Sequence, residues 1–105
     1  MACDEPVVLQ APDGSVRRVE VREVPAWFAS TSWRTLAMSE GTKGPRLFDW
    51  LCVRLWHQGR EDGWHSLLIR RTRDPTAELT YYLVFAPPAT TLEAKVNAAS
   101  RALAD

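Results

Sequence analysis

Two stretches decide the fold: LFDWLCVRLWH at residues 47–57 and WHSLLIRR at residues 64–71. Both are rich in β-branched and aromatic residues and too short for a typical amphipathic helix, so each predicts a β-strand. The six residues between them, QGREDG at 58–63, predict the loop of a β-hairpin. As a strand, the first stretch divides into two faces, since side chains alternate along a strand. One face carries Leu47, Asp49, Leu51, Val53 and Leu55, and the other carries Phe48, Trp50, Cys52, Arg54 and Trp56.

The residues before this hairpin predict a second, smaller one. Residues 7–10 and 16–24 flank Asp13-Gly14, a turn signal, and Val19 and Val21 alternate with charged residues as in a half-buried strand. Pro25 ends this strand because proline cannot donate to a ladder. Residues 26–37 are compatible with a short helix, and residues 42–45 predict a loop.

The residues after the hairpin predict a strand and a helix. Residues 78–86, ELTYYLVFA, are apolar on both faces, which is typical of a central strand, and Pro87-Pro88 ends it. Thr90 or Thr91 is the predicted cap of the helix, and Thr90 with Glu93 forms a capping box. One face of the helix then carries Leu92, Val96, Ala99 and Leu103. The helix reaches residue 105 without a stop signal, so we expect a chain cut short. The predicted class is α/β in the mixed, α+β sense.

The composition fits one small globular domain in residues 1–105. Thirteen basic residues balance thirteen acidic ones, so the whole chain shows no bias toward nucleic acid or membranes. No apolar run is long enough to span a bilayer, and residues 1–8 do not resemble a secretory signal. Two cysteines, Cys3 and Cys52, are too few for a disulfide scaffold, and we expect a cytoplasmic location.

Basic residues are nevertheless concentrated in the middle of the chain. Residues 43–73 hold seven of them against three acids, and four of the five tryptophans lie in 33–64. Such clusters with neighbouring aromatic residues are typical of contacts to a nucleic-acid backbone, and a solvated hairpin end with cross-strand ion pairs is the other interpretation. The candidate DNA-binding residues are Lys43, Arg46, Arg54, Arg70, Arg71 and Arg73.

Catalytic and metal-binding candidates are few. His57, Asp62 and His65 flank the predicted turn, but zinc sites need three or four converging ligands, so we predict no metal site. Cys52 is predicted to be a small core residue, and the adjacent His65 and Ser66 must point to opposite faces of their strand. Asp49 is the one acid within a strongly apolar strand. It needs a partner, and Arg54 and Arg70 are the candidates.

Two blocks of the sequence, TKGPRLFDW at 42–50 and LLIRRTRDPTAELTYYLVFAPPATTL at 67–92, resemble a known family. They are similar to the blocks that flank a tryptophan-containing hairpin in bacterial insertion-sequence transposases with a DDE endonuclease domain. The resemblance covers residues 33–101, whereas residues 1–30 match less clearly. It implies an RNase H-like fold, of which this chain would contain the β-rich insertion and the strand and helix that follow.

The resemblance also implies which residues the family uses for catalysis. Its two catalytic aspartates lie upstream of the first block, where this chain offers only Asp4 and Asp13, in settings unlike the family's motifs. Its catalytic glutamate follows an Arg-Trp-x-Ile pattern, whereas this chain reads Arg101-Ala102-Leu103-Ala104-Asp105. No catalytic residue is therefore assigned. Mg²⁺ is implied for the intact family, and no cofactor is assigned to this chain.

These observations give two hypotheses about function. In the first, the chain is a truncated, catalytically inactive piece of a DDE transposase that retains contact with the DNA backbone. In the second, it is a non-catalytic protein-interaction or self-associating module, in which aromatic faces around Trp50, Trp56 and Trp64 and unpaired sheet edges drive self-association.

Overall fold

The structure, a computed structural model, describes residues 5–39 and 45–104, with all their side chains except those of 38–39, 45, 61–62 and 100–104. These residues form an α+β fold, which confirms the predicted class at that level. The strands are β1 Pro6–Gln10, β2 Val16–Glu20, β3 Arg34–Ser39, β4 Pro45–His57, β5 Arg60–Thr72 and β6 Leu79–Phe85. Two 3-10 segments, Val21–Trp27 and Ser30–Ser32, join β2 to β3, and α1 spans Leu92–Ala104.

The strands form one antiparallel sheet in the order β2-β1-β4-β5-β6, with β3 also paired to β4. Two strands, β3 and β1, pair with the same edge of the long strand β4. Its first half pairs with β3, from Ser39 opposite Pro45 to Arg34 opposite Trp50, and Leu55 in its second half lies opposite Leu9 of β1. β5 pairs along the other edge, from Phe48 to His57 of β4. The β4–β5 hairpin is therefore the centre of the fold.

The predicted alternation along β4 is confirmed, because its two faces belong to two different cores. Leu51, Val53 and Leu55 pack with β1 and with the 3-10 segment on one face. Phe48 and Trp50 pack with α1 on the other face. We call these the 3-10 face and the helix face of the sheet.

The aromatic residues are less exposed than the self-association hypothesis requires. Trp50 is completely buried beneath α1, and Trp56 is half-buried. Only Trp64 of the three is exposed, and its ring stacks on Phe85 with centroids 5.2 Å apart. The expectation of a surface around Trp50 is thus wrong, because helix α1 covers that face of the sheet.

The N-terminal hairpin forms around Asp13-Gly14 as predicted, with Gln10 opposite Val16. Its second strand ends at Glu20 and not at Val24. The chain turns there because Glu23 Oε2 accepts a hydrogen bond from the Glu20 N–H at 2.9 Å, which starts a 3-10 segment. That segment buries Val21 and Val24 against the sheet.

The expected short helix at residues 26–37 is wrong. Most of this stretch is the end of one 3-10 segment, the short segment Ser30–Ser32, and the first part of β3. The backbone of β3 hydrogen-bonds the edge of β4, and this pairing outweighs the weak local preference for helix.

The turn of the central hairpin is also tighter than the predicted six-residue loop. His57 pairs with Arg60, and Gln58 and Gly59 alone form the turn, with φ of 53° and 80°. Positive φ at both central residues is the signature of a type I′ turn, whose twist matches that of the flanking strands. The remaining loop residues belong to β5. The register changes there, since Arg54 lies opposite Ser66 but Trp56 lies opposite Glu61.

The last predicted strand exists as β6, but its position was predicted wrongly. It pairs with β5 and lies at the edge of the sheet among the described strands. Leu83 and Phe85 are 54% and 67% exposed on its 3-10 face. The apolar pattern on both faces arises because Tyr82 and Val84 pack toward α1 and Leu79 and Tyr81 toward the other core.

Helix α1 begins after Thr91, whose Oγ1 accepts a hydrogen bond from the Ala94 N–H at 3.2 Å. Of the two candidate caps, Thr91 therefore takes this role. Val96 and Ala99 are buried against the sheet and Leu92 packs beside them, as their spacing predicts. The side chain of Leu103 lies outside the described set. No helix in the described part of the chain is long and apolar enough to cross a membrane.

Candidate functional site

Asp49 and two arginines form a charged cluster at the open end of the β4–β5 hairpin. Asp49 lies directly opposite Arg71 in the ladder. Its Oδ2 accepts a hydrogen bond from Arg71 Nη2 at 3.2 Å, and its Oδ1 accepts one from Arg73 Nη1 at 2.8 Å. Thr35 on β3 also donates to Oδ1, at 2.7 Å. The carboxylate is held from both neighbouring strands, and both of its oxygens are occupied.

This geometry lowers the pKa of the Asp49 carboxyl below its ordinary value. Burial alone raises the pKa, because the charged form loses water. The hydrogen bonds from Thr35, Arg71 and Arg73 outweigh that effect and favour the ionised form. Asp49 is therefore a charged structural acid.

The predicted partners of Asp49 were wrong. Arg54 and Arg70 stand at even positions and lie on the helix face, whereas Asp49 and Arg71 stand at odd positions of their strands and share the 3-10 face. The expected type of interaction, a strand acid paired to arginine, is confirmed.

The arginines at this end of the hairpin rest on aromatic rings. On the helix face, the guanidinium carbons of Arg46 and Arg70 lie 5.4 Å and 4.5 Å from the centroid of Phe48. On the 3-10 face, that of Arg71 lies 4.2 Å from the centroid of Trp33. Stacking of this kind orients a guanidinium while leaving its edge able to donate hydrogen bonds.

Four of the six candidate DNA-binding residues gather at one end of the hairpin, on both faces of the sheet. Arg46 and Arg70 lie on the helix face, and Arg71 and Arg73 lie beside Asp49. Arg54 lies further along β4, opposite Ser66, and is exposed. Lys43 lies outside the described residues. The arrangement is thus a basic rim that wraps around the strand ends.

The two histidines meet at the other end of the hairpin. His57 and His65 stack with ring centroids 4.2 Å apart, and His65 also contacts Phe85. Both histidines line a groove of about 310 Å³ with Leu55, Leu83 and residues of β1 and β2. The side chain of Asp62, the third sequence candidate, is not among those described. The described residues contain no group of three or more His, Cys, Asp or Glu side chains placed to hold a metal ion.

A buried polar cluster was missed from the sequence. Lys95 of α1 donates to Ser66 Oγ at 3.2 Å and to Cys52 Sγ at 3.6 Å, beneath the helix. A signal for it existed, because Lys95 stands three residues after Leu92 and four before Ala99, on the apolar face of the helix. Cys52 packs at the edge of the core, as predicted, and Ser66 points away from His65.

Comparisons with protein-family models, curated proteins and solved structures found no match to this chain.

Proposed function

We propose that this chain is part of the catalytic domain of a DDE transposase, with an RNase H-like fold, and that it contacts the DNA backbone without catalysing its cleavage. What supports the proposal is the contact between the two blocks that carry the resemblance. Asp49 of the first block is bound by Arg71 and Arg73 of the second. Two motifs far apart in the sequence thus form one charged unit at the rim where the candidate DNA contacts gather.

In this proposal the phosphate contacts come from the arginine-rich rim. Arg46 and Arg73 are the exposed members, and each places a guanidinium at the end of the hairpin. Backbone contacts of this kind need no base-reading element and weaken steeply as salt displaces them.

The three aspartates whose side chains the structure describes do not fit a magnesium site. The Asp49 carboxylate is bound by Thr35, Arg71 and Arg73. Asp13 and Asp74 accept hydrogen bonds within their own turns, from Ser15 and from Thr72 and Thr76. Mg²⁺ binds most often through carboxylates that converge on one point, and these acids lie in separate settings.

The test is a salt titration of DNA binding. Fluorescence anisotropy of a labelled duplex is measured with the wild type and with Arg46→Ala/Arg73→Ala over a series of KCl concentrations. We expect the slope of log Kd against log salt to fall by about 2 in the double variant, because two phosphate contacts are lost. The matched control is Arg17→Ala/Arg22→Ala, which removes the same charge from two arginines outside the rim that pair with Asp13 and Glu20, as Arg73 pairs with Asp49. The absence of salt-dependent affinity at low salt, or an equal loss in the control, would refute DNA contact by this rim.

A second function is favoured by the position of β6. This strand is at the edge of the sheet and presents exposed Leu83 and Phe85 beside Trp64. An edge strand with unpaired backbone groups and an apolar surface is a template for pairing with another strand. We propose as the alternative that a second copy of the chain pairs with β6, which makes the protein a self-associating module.

Sedimentation velocity over a range of concentrations tests this alternative. If β6 mediates association, Leu83→Lys/Phe85→Lys is monomeric at concentrations where the wild type is dimeric. The control is Val16→Lys/Leu47→Lys, which changes two other exposed apolar side chains. A wild type that stays monomeric at all concentrations, or a control that dissociates equally, would exclude pairing through β6.

A further inference from the structure

Helix α1 and strand β4 are joined by a contact between an amine and a thiol. Lys95 is only 8% exposed, and its Nζ lies 3.6 Å from Cys52 Sγ. Ser66 Oγ, at 3.2 Å, accepts the other hydrogen bond described for this ammonium group. Lys95 therefore lies between two sheet residues with its charged end directed at the sulfur.

The burial of this ammonium group is unusual because its described partners are neutral. Lysine side chains are almost never buried without a partner, and the partner is usually a carboxylate. Lys95 forms no ion pair with any described residue. The ammonium group has three donors, and a hydroxyl and a thiol supply its acceptors. The protein thus keeps an almost fully buried lysine beside a cysteine thiol.

The part of helix α1 that carries Lys95 is held against the sheet. Val96 follows Lys95 directly and is buried in the core with Phe48, Trp50, Leu68 and Ala99. At the start of the helix, Glu93 forms an ion pair with Arg34 of β3 at 2.9 Å. These contacts hold the first turns of α1 on the sheet, and Lys95 lies between them.

Cys52 itself is not sealed from solvent. It is a free cysteine of intermediate burial. A small oxidant such as hydrogen peroxide reaches a partly exposed thiol and converts it to a sulfenic acid, an electrophilic form of sulfur. Direct attack by an amine on such a sulfur gives an S–N bond, whereas an amine that a second peroxide has oxidised to a hydroxylamine attacks the sulfur through its oxygen and displaces water.

We propose that Cys52 and Lys95 form a covalent S–O–N cross-link when the protein is oxidised by hydrogen peroxide. The S–H bond and two N–H bonds of the ammonium group break, and one oxygen atom is inserted between sulfur and nitrogen. Sulfur and nitrogen together give up four electrons, two peroxide molecules are reduced, and three water molecules and one proton leave. Reduction by two equivalents of a dithiol restores the thiol and the amine and releases water.

The consequence is a reversible covalent link between α1 and the centre of the sheet. The link joins residues that are far apart in sequence, so it restricts the unfolded chain as a disulfide does. It also prevents α1 from leaving the helix face. Oxidation then stabilises the fold, in contrast to the usual effect of oxidising a core cysteine.

The experiment uses the full chain with Cys3→Ser, so that Cys52 is the only thiol. The protein is treated with hydrogen peroxide, alkylated, and analysed by intact mass spectrometry and by tryptic digestion. We expect a mass gain of one oxygen less two hydrogens, and loss of cleavage after Lys95. Peptide 47–54 is then joined to peptide 74–101, and the link disappears after dithiothreitol. The melting temperature of the oxidised protein is also expected to rise.

Three variants separate this chemistry from simple thiol oxidation. Cys52→Ser and Lys95→Arg are expected to lose the link, and Ser66→Ala, which keeps both reacting groups, is expected to retain it. Sulfinic acid on Cys52 with normal cleavage after Lys95 would overturn the proposal. A link that persists in Lys95→Arg would overturn it too, since it would have another partner. A joined peptide without the added oxygen would overturn the oxygen-insertion step.

Discussion

Asp49 of β4 and Arg71 of β5 lie directly opposite each other, and Arg71 Nη2 donates to Asp49 Oδ2 at 3.2 Å. The pair holds the open end of the central hairpin, where no turn connects the two strands. Arg73 and Thr35 bind the other oxygen of the same carboxylate, so β3, β4 and the chain beyond β5 meet at one acid. An acid in an apolar strand is therefore tolerated because hydrogen bonds from three neighbouring side chains replace those that water would donate to its carboxylate.

The Asp49 cluster predicts a stability that depends on pH. Its pKa is lower in the folded than in the unfolded chain, so its contribution is fully present above the unfolded value and is lost as pH falls through the folded value. We expect the free energy of unfolding to decrease below about pH 4. Asp49→Asn is expected to cost about 1–2 kcal/mol at pH 7 and to reduce this slope. Urea denaturation across the acid range measures both effects.

The control for this prediction is Asp13→Asn. The hydrogen bonds from Ser15 lower the pKa of Asp13 as well, but this residue is exposed in the β1–β2 turn, and its described partners do not belong to the cluster. Part of the decrease in the free energy of unfolding at acid pH persists in Asp49→Asn, because the hydrogen bonds from Thr76 and Thr72 also lower the pKa of Asp74. Equal stability of Asp49→Asn and the wild type at pH 7 would contradict the structural role of the cluster.

The central part of the fold was predictable because local pattern and tertiary structure agree there. The alternation along residues 47–57 gave both faces of β4, and Asp13-Gly14 gave the first hairpin. Residues 26–37 have no such pattern, and their strand exists because the edge of β4 needs a partner. The tight turn at Gln58-Gly59 was missed because Gln58 is an unusual residue at a positive φ.

The sequence predicted which residues lie in the candidate site, but not which arginines pair with Asp49. The sequence showed an acid and several arginines near the same strand ends. Which arginine faces Asp49 depends on the register of β5, and that register shifts after Arg54. The same holds for Lys95. Its place on the apolar face of α1 was visible in the sequence, but its contact with Cys52 depends on how the helix is placed on the sheet.

The turn at Gln58 offers a stabilising substitution. Gln58 has φ of 53°, a conformation that costs glutamine about 1 kcal/mol and is much easier for asparagine and glycine. We expect Gln58→Asn to raise the free energy of unfolding by about 0.5–1 kcal/mol. Urea denaturation checks this value, and Gln10→Asn on β1 is the control, since that residue is in an ordinary strand. A destabilised Gln58→Asn would contradict the type I′ turn.

Gly59 and Gly63 form a matched pair for measuring a steric contact. Both have positive φ, at 80° and 76°, so alanine is strained at either position. A Cβ at Gly59 meets nothing within 4 Å, whereas a Cβ at Gly63 would lie 3.0 Å from Pro88 Cγ. We expect Gly59→Ala to cost about 1–2 kcal/mol and Gly63→Ala to cost about 1 kcal/mol more.

The contact with Pro88 is isolated by a double-mutant cycle. In a Pro88→Gly background the two glycine substitutions are expected to have equal cost, because the Cβ and Cγ atoms that a Cβ at residue 63 would meet, at 3.1 and 3.0 Å, are gone. Free energies of unfolding from urea denaturation give the four values required. If the difference between the two glycines survives in this background, the close approach of the β6–α1 connection to the bulged part of β5 is not its cause.

The buried charge of Lys95 is expected to lower the stability of the fold. Replacing a buried charged group by an apolar one of similar volume is often stabilising, because no ion has to be taken out of water. Lys95→Met alone leaves Ser66, which is 1% exposed, without its donor. The double variant Lys95→Met/Ser66→Ala removes both polar groups, and we expect it to raise the free energy of unfolding by about 1–2 kcal/mol. Ser66→Ala alone is expected to lower it, since the ammonium group then keeps only Cys52. Urea denaturation of the three variants decides the matter: a double variant less stable than the wild type would show that the lysine contact stabilises the fold.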